Sequence, residues 1–181
     1  MNGDVVPAAG RSSPLIVVMG VSGSGKTTIG ELLSARFGVP FEDADYLHSK
    51  ANLEKMEAGY PLTDDDRWPW LARVGTVLSN AAETGLVMAC SALKRSYRDA
   101  ILAEEPRARF IYLEASRSLL ESRLLRRSGH FMPTSLLDSQ LETLEPLASE
   151  EPGMTVSVDQ PPESIVDAVA AGTHPPLRPS L

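Results

Sequence analysis

The chain has 181 residues, 43% of them hydrophobic and 23% charged, with 24 acidic side chains against 17 basic ones. A single domain of this size can bury about 70% of its unfolded surface without a disulfide or metal staple, and the one cysteine, Cys90, excludes an intramolecular disulfide. A net charge of −7 argues against a nucleic-acid partner, which calls for a basic surface, and no apolar run approaches the roughly 20 residues that cross a bilayer. A soluble, cytoplasmic globular domain is the expectation.

Residues 1–13 are small and polar, with neither the basic start nor the apolar stretch of a signal peptide, and read as a disordered arm. The run LIVVM over 15–19 is a buried strand rich in β-branched residues. After it, Ile29, Leu32, Leu33, Arg36 and Phe37 recur at helical spacing until Gly38 stops the helix. Further strands are expected at 39–41, 86–90, 109–113 and 154–158. Helices are expected at about 49–58, 64–82, 94–104, 116–127, 134–145 and 162–171. The tail, 174–181, has three prolines in eight residues and reads as disordered. Strands alternating with helices give an α/β fold, a parallel sheet of about five strands covered on both faces. The domain is expected over 14–173.

Between the first strand and the first helix stands Gly20-Val-Ser-Gly-Ser-Gly25-Lys26-Thr27, a match to G-x-x-x-x-G-K-[ST] at every fixed position. The glycines let the backbone turn its N–H groups onto phosphate oxygens, and the following helix adds its positive end. Lys26 can reach the β- and γ-phosphates, and the Thr27 hydroxyl can ligate Mg²⁺. The contacts expected for a nucleotide are Gly20, Val21, Ser22, Gly23, Ser24, Gly25, Lys26, Thr27 and Thr28. No Asp has Gly three positions on and N-K-x-D is missing, which argues against a GTPase switch. A small phosphotransferase needs an acceptor site, a carboxylate for the acceptor hydroxyl and cations around the transferring group.

Asp43-Ala-Asp45 follows the second strand, where ligands gather beyond the carboxyl ends of a parallel sheet. Strand alternation puts both carboxylates on one face, one to serve the metal and the other to accept a proton. Asp64-Asp65-Asp66 reads mainly as a helix N-terminus. Cys90-Ser-Ala-Leu-Lys94-Arg95 leaves the third strand, and Arg123, Arg126 and Arg127 close a helix before Ser-Gly-His130-Phe. Those cations read as a lid over 123–135, whereas Trp68 and Trp70 read as core.

The phosphate loop, Asp43-Ala-Asp45-Tyr-Leu-His48, Asn52-Leu-Glu-Lys-Met56 and Gly59-Tyr-Pro-Leu-Thr-Asp-Asp-Asp-Arg67-Trp-Pro-Trp-Leu71 together resemble the gluconokinase family. So do Cys90-Ser-Ala-Leu-Lys-Arg-Ser-Tyr-Arg98, Arg127-Ser-Gly-His-Phe131 and Asp159-Gln-Pro161. These are small P-loop kinases related in fold to shikimate kinase, and the resemblance spans about residues 15–171. It implies ATP-dependent phosphorylation of D-gluconate at its 6-hydroxyl, Mg²⁺, a sheet of order 2-3-1-4-5, a mobile lid and a homodimer. By position it implies Asp45 as the acceptor-side carboxylate and Asp43 as the metal-side one. It makes His48, Arg67, Ser91, Lys94 and His130 gluconate contacts, Arg123 and Arg127 phosphate or lid residues with Arg127 catalytic, and Gln160 with Pro161 neighbours of adenine. Ala44 stands where the family often has Gly, which narrows that turn. A kinase for another polar acid or for a nucleotide is the rival reading among enzymes, and a catalytically silent nucleotide-binding regulator that has kept the loop is the rival from another class.

Overall fold

The computed structural model describes residues 13–126 and 134–173. The arm over 1–12, the tail over 174–181 and the segment 127–133, with Arg127 and His130, lie outside the described residues. Five strands form one parallel sheet: β1 (Leu15–Met19), β2 (Phe41–Asp43), β3 (Leu86–Ala89), β4 (Arg109–Glu114) and β5 (Gly153–Ser157). Their order is β2-β3-β1-β4-β5, as the resemblance implied. Among the described residues, seven α-helices accompany them: α1 (Lys26–Phe37), α2 (Lys50–Glu57), α3 (Asp64–Asn80), α4 (Arg95–Glu104), α5 (Arg117–Arg126), α6 (Thr134–Thr143) and α7 (Pro162–Thr173). A short 3-10 helix, Ala44–Leu47, follows β2.

Every residue of β1 is buried, as its uniformly apolar sequence requires of a central strand flanked by β3 and β4. The two-residue period divides its side chains between two cores. Leu15, Val17 and Met19 pack with Trp70, Leu71 and Val74 of α3 and with Tyr97 and Ile101 of α4. Ile16 and Val18 pack with Ile29 and Leu33 of α1 and Ile165 and Val169 of α7. A third cluster joins Val21 of the phosphate loop to Leu93, Leu120 and Leu137, so α5 and α6 pack at the carboxyl end of the sheet.

The second strand begins two residues later than the hydrophobic run suggests. Ser34 O accepts from Gly38 N and Val39 N at 2.9 and 3.1 Å, so Val39 still belongs to the cap of α1, and Pro40 has no N–H to offer a neighbouring strand. Pairing therefore starts at Phe41, opposite Val87. The shift brings the end of β2 to Asp43, level with Ala89 at the end of β3. Among the described residues, no helix is long and apolar enough to cross a membrane.

Candidate active site

The phosphate loop runs from β1 into α1 through left-handed glycines, Gly20 at φ 145°, Gly23 at 83° and Gly25 at 100°. A Cβ at Gly20 would lie 2.8 Å from Ser24 Oγ and 3.1 Å from Leu113 O, so both conformation and space require glycine there. Lys26 Nζ donates to Val21 O at 3.1 Å, across the mouth of the loop. Thr27 and Thr28 are exposed on the first turn of α1. Arg123, on α5, donates to Ser24 O at 3.2 Å, Gly23 O at 3.4 Å and Val158 O at 3.4 Å. That arginine thus ties the loop to the end of β5.

Beside this loop lies a cleft of about 260 Å³ lined by Gly23, Gly25, Thr28, Arg123, Val158 and Gln160 among others. Its size and place suit the base and ribose of a nucleotide whose phosphates rest on the loop. Gln160 lines it, and Nε2 of that side chain donates to Ser157 O at 2.8 Å. Pro162 lines the cleft where Pro161 was expected. The Pro161 carbonyl instead accepts Ser164 N and Ile165 N at 3.0 and 3.3 Å, opening α7.

The two carboxylates of the Asp43-Ala-Asp45 turn do not sit on one strand face. The chain leaves β2 at Asp43, whose side chain accepts from Asp45 N at 3.0 Å and caps the 3-10 helix, with Tyr46 Oη closing the box on Asp43 N at 3.1 Å. Strand alternation therefore ends before Asp45. The turn nevertheless holds Asp45 within electrostatic reach of Asp43, Lys26 and Arg67. Asp45 lies exposed at the surface of the turn, with neighbouring protein atoms partly desolvating its carboxyl. Burial, then the Asp43 charge, raises its pKa above the usual carboxylate value, while Lys26 and Arg67 pull the other way. Trp70 anchors the turn from α3: its Nε1 donates to the buried Ala44 O at 2.7 Å, and its ring stacks on His48 with centroids 4.2 Å apart. His48 is buried, and burial followed by the Arg67 charge lowers its pKa to about 4. At neutral pH it is an uncharged hydrogen-bonding group.

The first turn of α3 divides its three aspartates. Asp66 forms a capping box with Thr63 and binds Lys55 Nζ at 2.7 Å, as a helix N-terminus should. Asp64 turns toward α4, where Lys94 Nζ donates to both its oxygens at 2.9 Å and Tyr97 Oη donates at 2.5 Å. The Tyr97 hydrogen bond, then Lys94, lowers the Asp64 pKa. Lys94 thus already has a carboxylate partner. Arg67 has none: among the described residues it forms no salt bridge, and its guanidinium carbon lies 5.6 Å from the Tyr97 ring centroid. Trp68 is not core; it is 38% exposed and meets Tyr97 edge-on. Ser91 is half-buried, and its carbonyl accepts Gly20 N at 3.4 Å, joining the acceptor side to the phosphate loop.

Three contacts escaped the motif reading. Gln140 of α6 accepts Ser22 N at 2.7 Å and faces Ser22 Oγ at 3.3 Å, a two-point grip on the loop. Tyr97 is the hydroxyl that fixes Asp64, and Arg98 is buried beneath the Ser91–Lys94 turn. A Gln in an amphipathic helix carries no signal, whereas Tyr97 and Arg98 stand inside a stretch that the resemblance had marked.

No cluster of three or more His, Cys, Asp or Glu among the described residues could cage a metal. An exposed Thr27 hydroxyl and the Asp43 carboxylate suit Mg²⁺, which keeps several waters and takes substrate phosphates as ligands.

The model of the shikimate kinase family matches residues 22–177. A gluconokinase of Gluconobacter oxydans (strain 621H) is 46% identical over 160 residues, spanning 87% of this chain and 90% of that protein. The thermoresistant gluconokinase of Escherichia coli (strain K12) is 43% identical over 155 residues, spanning 84% and 89%. The crystal structure of a gluconokinase from Sinorhizobium meliloti 1021 superposes with a TM-score of 0.81 at 49% identity, covering 90% of this chain and 93% of that one. Shikimate kinase from Bacteroides thetaiotaomicron, at 16% identity, 87% of this chain and 97% of that one, shares the fold with a TM-score of 0.64. The chain belongs to the gluconokinase family and is a phosphotransferase with a phosphate-binding loop.

Proposed function

We propose that the protein transfers the γ-phosphoryl group of ATP to the 6-hydroxyl of D-gluconate, giving 6-phosphogluconate and ADP. The observation that carries the reading is the position of Asp45, within electrostatic reach of both Lys26 of the phosphate loop and Arg67 of α3. Asp45 takes the proton of the 6-hydroxyl as its oxygen attacks phosphorus and the bond to the β–γ bridging oxygen breaks. A carboxylate with a raised pKa is a stronger base than an ordinary one. Lys26 and the loop N–H groups meet the charge that builds on the transferring oxygens. Arg123 and Gln160 face the nucleoside side of the cleft.

On the acceptor side, Arg67 receives the gluconate carboxylate, because Lys94 is already answered by Asp64 and Tyr97. His48 and Ser91 supply neutral polar contacts along the chain of hydroxyls, and Lys94 adds a charge nearby. Arg127 and His130 complete the site in this reading on the family pattern alone. Thr27 and Asp43 would hold Mg²⁺, which would neutralise charge between the β- and γ-phosphates. A cytoplasmic homodimer is the expected setting, and light scattering tests the second half of that expectation.

The direct experiment measures ADP release with gluconate, shikimate, glycerate, glucose and the nucleoside monophosphates as acceptors, with the product's phosphate located by NMR. Gluconate should lead by kcat/KM and carry phosphate on C6. A different leading acceptor, or phosphate on another carbon, overturns the proposal.

A further inference from the structure

The turn from β3 into α4 carries two of the acceptor-side groups, Ser91 and Lys94, and its middle residue is strained. Ala92 has φ 42°, the only positive φ outside glycine among the described residues. An alanine keeps that left-handed conformation only where its surroundings over-determine it. They do so from below. Arg98, fully buried on the first turn of α4, sends Nη1 to Ala92 O at 3.1 Å, Leu93 O at 3.3 Å and Glu145 O at 3.1 Å. Its other edge forms a two-pronged pair with Glu151, Nε to Oε1 at 2.6 Å and Nη2 to Oε2 at 2.9 Å.

The rest of that carboxylate is also occupied. Glu151 Oε2 accepts Ala148 N at 2.9 Å. Around the pair, Glu145 N donates to Leu93 O at 2.8 Å and Glu145 Oε2 accepts Arg95 N at 2.7 Å. The connection between α6 and β5 is therefore fastened to the turn through one guanidinium whose three nitrogens all donate. Stability alone does not explain the choice. A buried ion pair is commonly no more stabilising than apolar side chains of the same volume. What a planar guanidinium provides is both at once: Nη1 holds two consecutive carbonyls of a strained turn while the Nε/Nη2 fork is fixed by Glu151.

We propose that Arg98, held by Glu151, is a positioning residue for the acceptor half of the site, fixing through the Ala92 and Leu93 carbonyls where Ser91 and Lys94 point. The assignment rests on the gluconate reading above for its substrate. Its consequence is selective. The nucleotide cleft is lined from other elements, and the turn meets the phosphate loop at Gly20 and Val21, so loosening it disturbs acceptor binding more than ATP binding.

The test compares wild type with Arg98→Lys, which keeps the charge but loses the fork, and Glu151→Gln, which keeps the shape but loses the charge. Circular dichroism and thermal melts establish folding, and KM for gluconate and for ATP are measured separately with kcat. Misplacing a binding group by about 1 Å can cost up to about 100-fold. Gluconate KM should rise about tenfold or more in both variants, with ATP KM within twofold of wild type. Gluconate KM within twofold in variants that merely melt earlier overturns the proposal, as does a parallel rise in both KM values. Global unfolding of both variants overturns it too, since the pair is then scaffold. If wild type does not turn over gluconate, the functional reading has failed instead, and that result is seen before any variant is made.

Discussion

Replacing Trp70 by Phe separates the anchor of the Asp45 turn from the core that surrounds it. The indole is 2% exposed, so a phenyl ring stays buried in its place, but Ala44 O loses its 2.7 Å hydrogen bond where no water reaches. Orphaning a buried carbonyl costs about 1–3 kcal/mol. Weakening the stack on His48, whose centroid is 4.2 Å away, removes about 0.5 kcal/mol more. A total of about 1.5–3.5 kcal/mol corresponds to a fall in Tm of about 3–14 °C for a domain of this length. Asp45 is the next residue after Ala44, and a turn freed at its middle carbonyl lets that carboxylate wander. We therefore expect kcat to fall about tenfold or more. Leu71→Ala is the control: Leu71 is fully buried on the same helix, and its truncation costs about 2–5 kcal/mol without touching the turn. Both variants are assayed by coupled ADP release at a temperature where each is folded. Equal kcat values in the two variants would refute the reasoning, because the turn would then be held by the Asp43 cap alone.

Lys26→Ala should lower kcat by about 10²–10³ with the fold intact, and a loss under tenfold in steady-state turnover removes the phosphate role. Asp45→Asn should lower kcat by about 10²–10⁴ and yet raise Tm at neutral pH. The sign follows from linkage: a carboxyl whose pKa is raised by folding favours the folded state below its unfolded pKa, and that contribution is lost as pH rises through the folded value. The melting advantage of the variant should vanish in acid, and a lower Tm at pH 7 would contradict the burial argument. In wild type the acid limb of kcat should fall above the ordinary aspartate pKa of about 3.9. Arg67→Met should raise gluconate KM, spare ATP KM and narrow the gluconate-to-glucose ratio of kcat/KM. Losing a charge-assisted contact is worth about 1.5–3 kcal/mol, roughly 10–150-fold, and an unchanged ratio would move Arg67 to the nucleotide side.

The parts of this molecule that were legible in its sequence are those where one residue type answers one local requirement. LIVVM has nowhere to go but the centre of a sheet, Gly38 can end a helix with φ 68°, and a loop that must turn N–H groups onto phosphate needs glycine at 20 and 25. Local chemistry also accounts for the errors. The run Val39-Pro-Phe41 looks like a strand until the Ser34 cap claims Val39, and the alternation of Asp43 and Asp45 holds only while the chain stays extended. Partners distant in sequence were not legible. Nothing local says that Asp64 belongs to Lys94, 30 residues on, or that Arg98 meets Glu151, 53 residues on.

The same division orders the chemistry of the two halves. The phosphate-binding part of the nucleotide half rests on backbone groups that a contiguous motif supplies, so it can be read from eight residues. The acceptor half is assembled from β2, α3 and the β3–α4 turn, and its net charge depends on which cations those elements pair off. Asp64 pairs with Lys94, while Arg67, near Asp45, forms no salt bridge among the described residues. On the proposed reading, such a site should favour an acceptor with one carboxylate over a neutral sugar, which offers Arg67 no charge-assisted contact. Selectivity therefore resides in a pairing pattern that the tertiary fold decides, whereas phosphate binding resides in the chain itself.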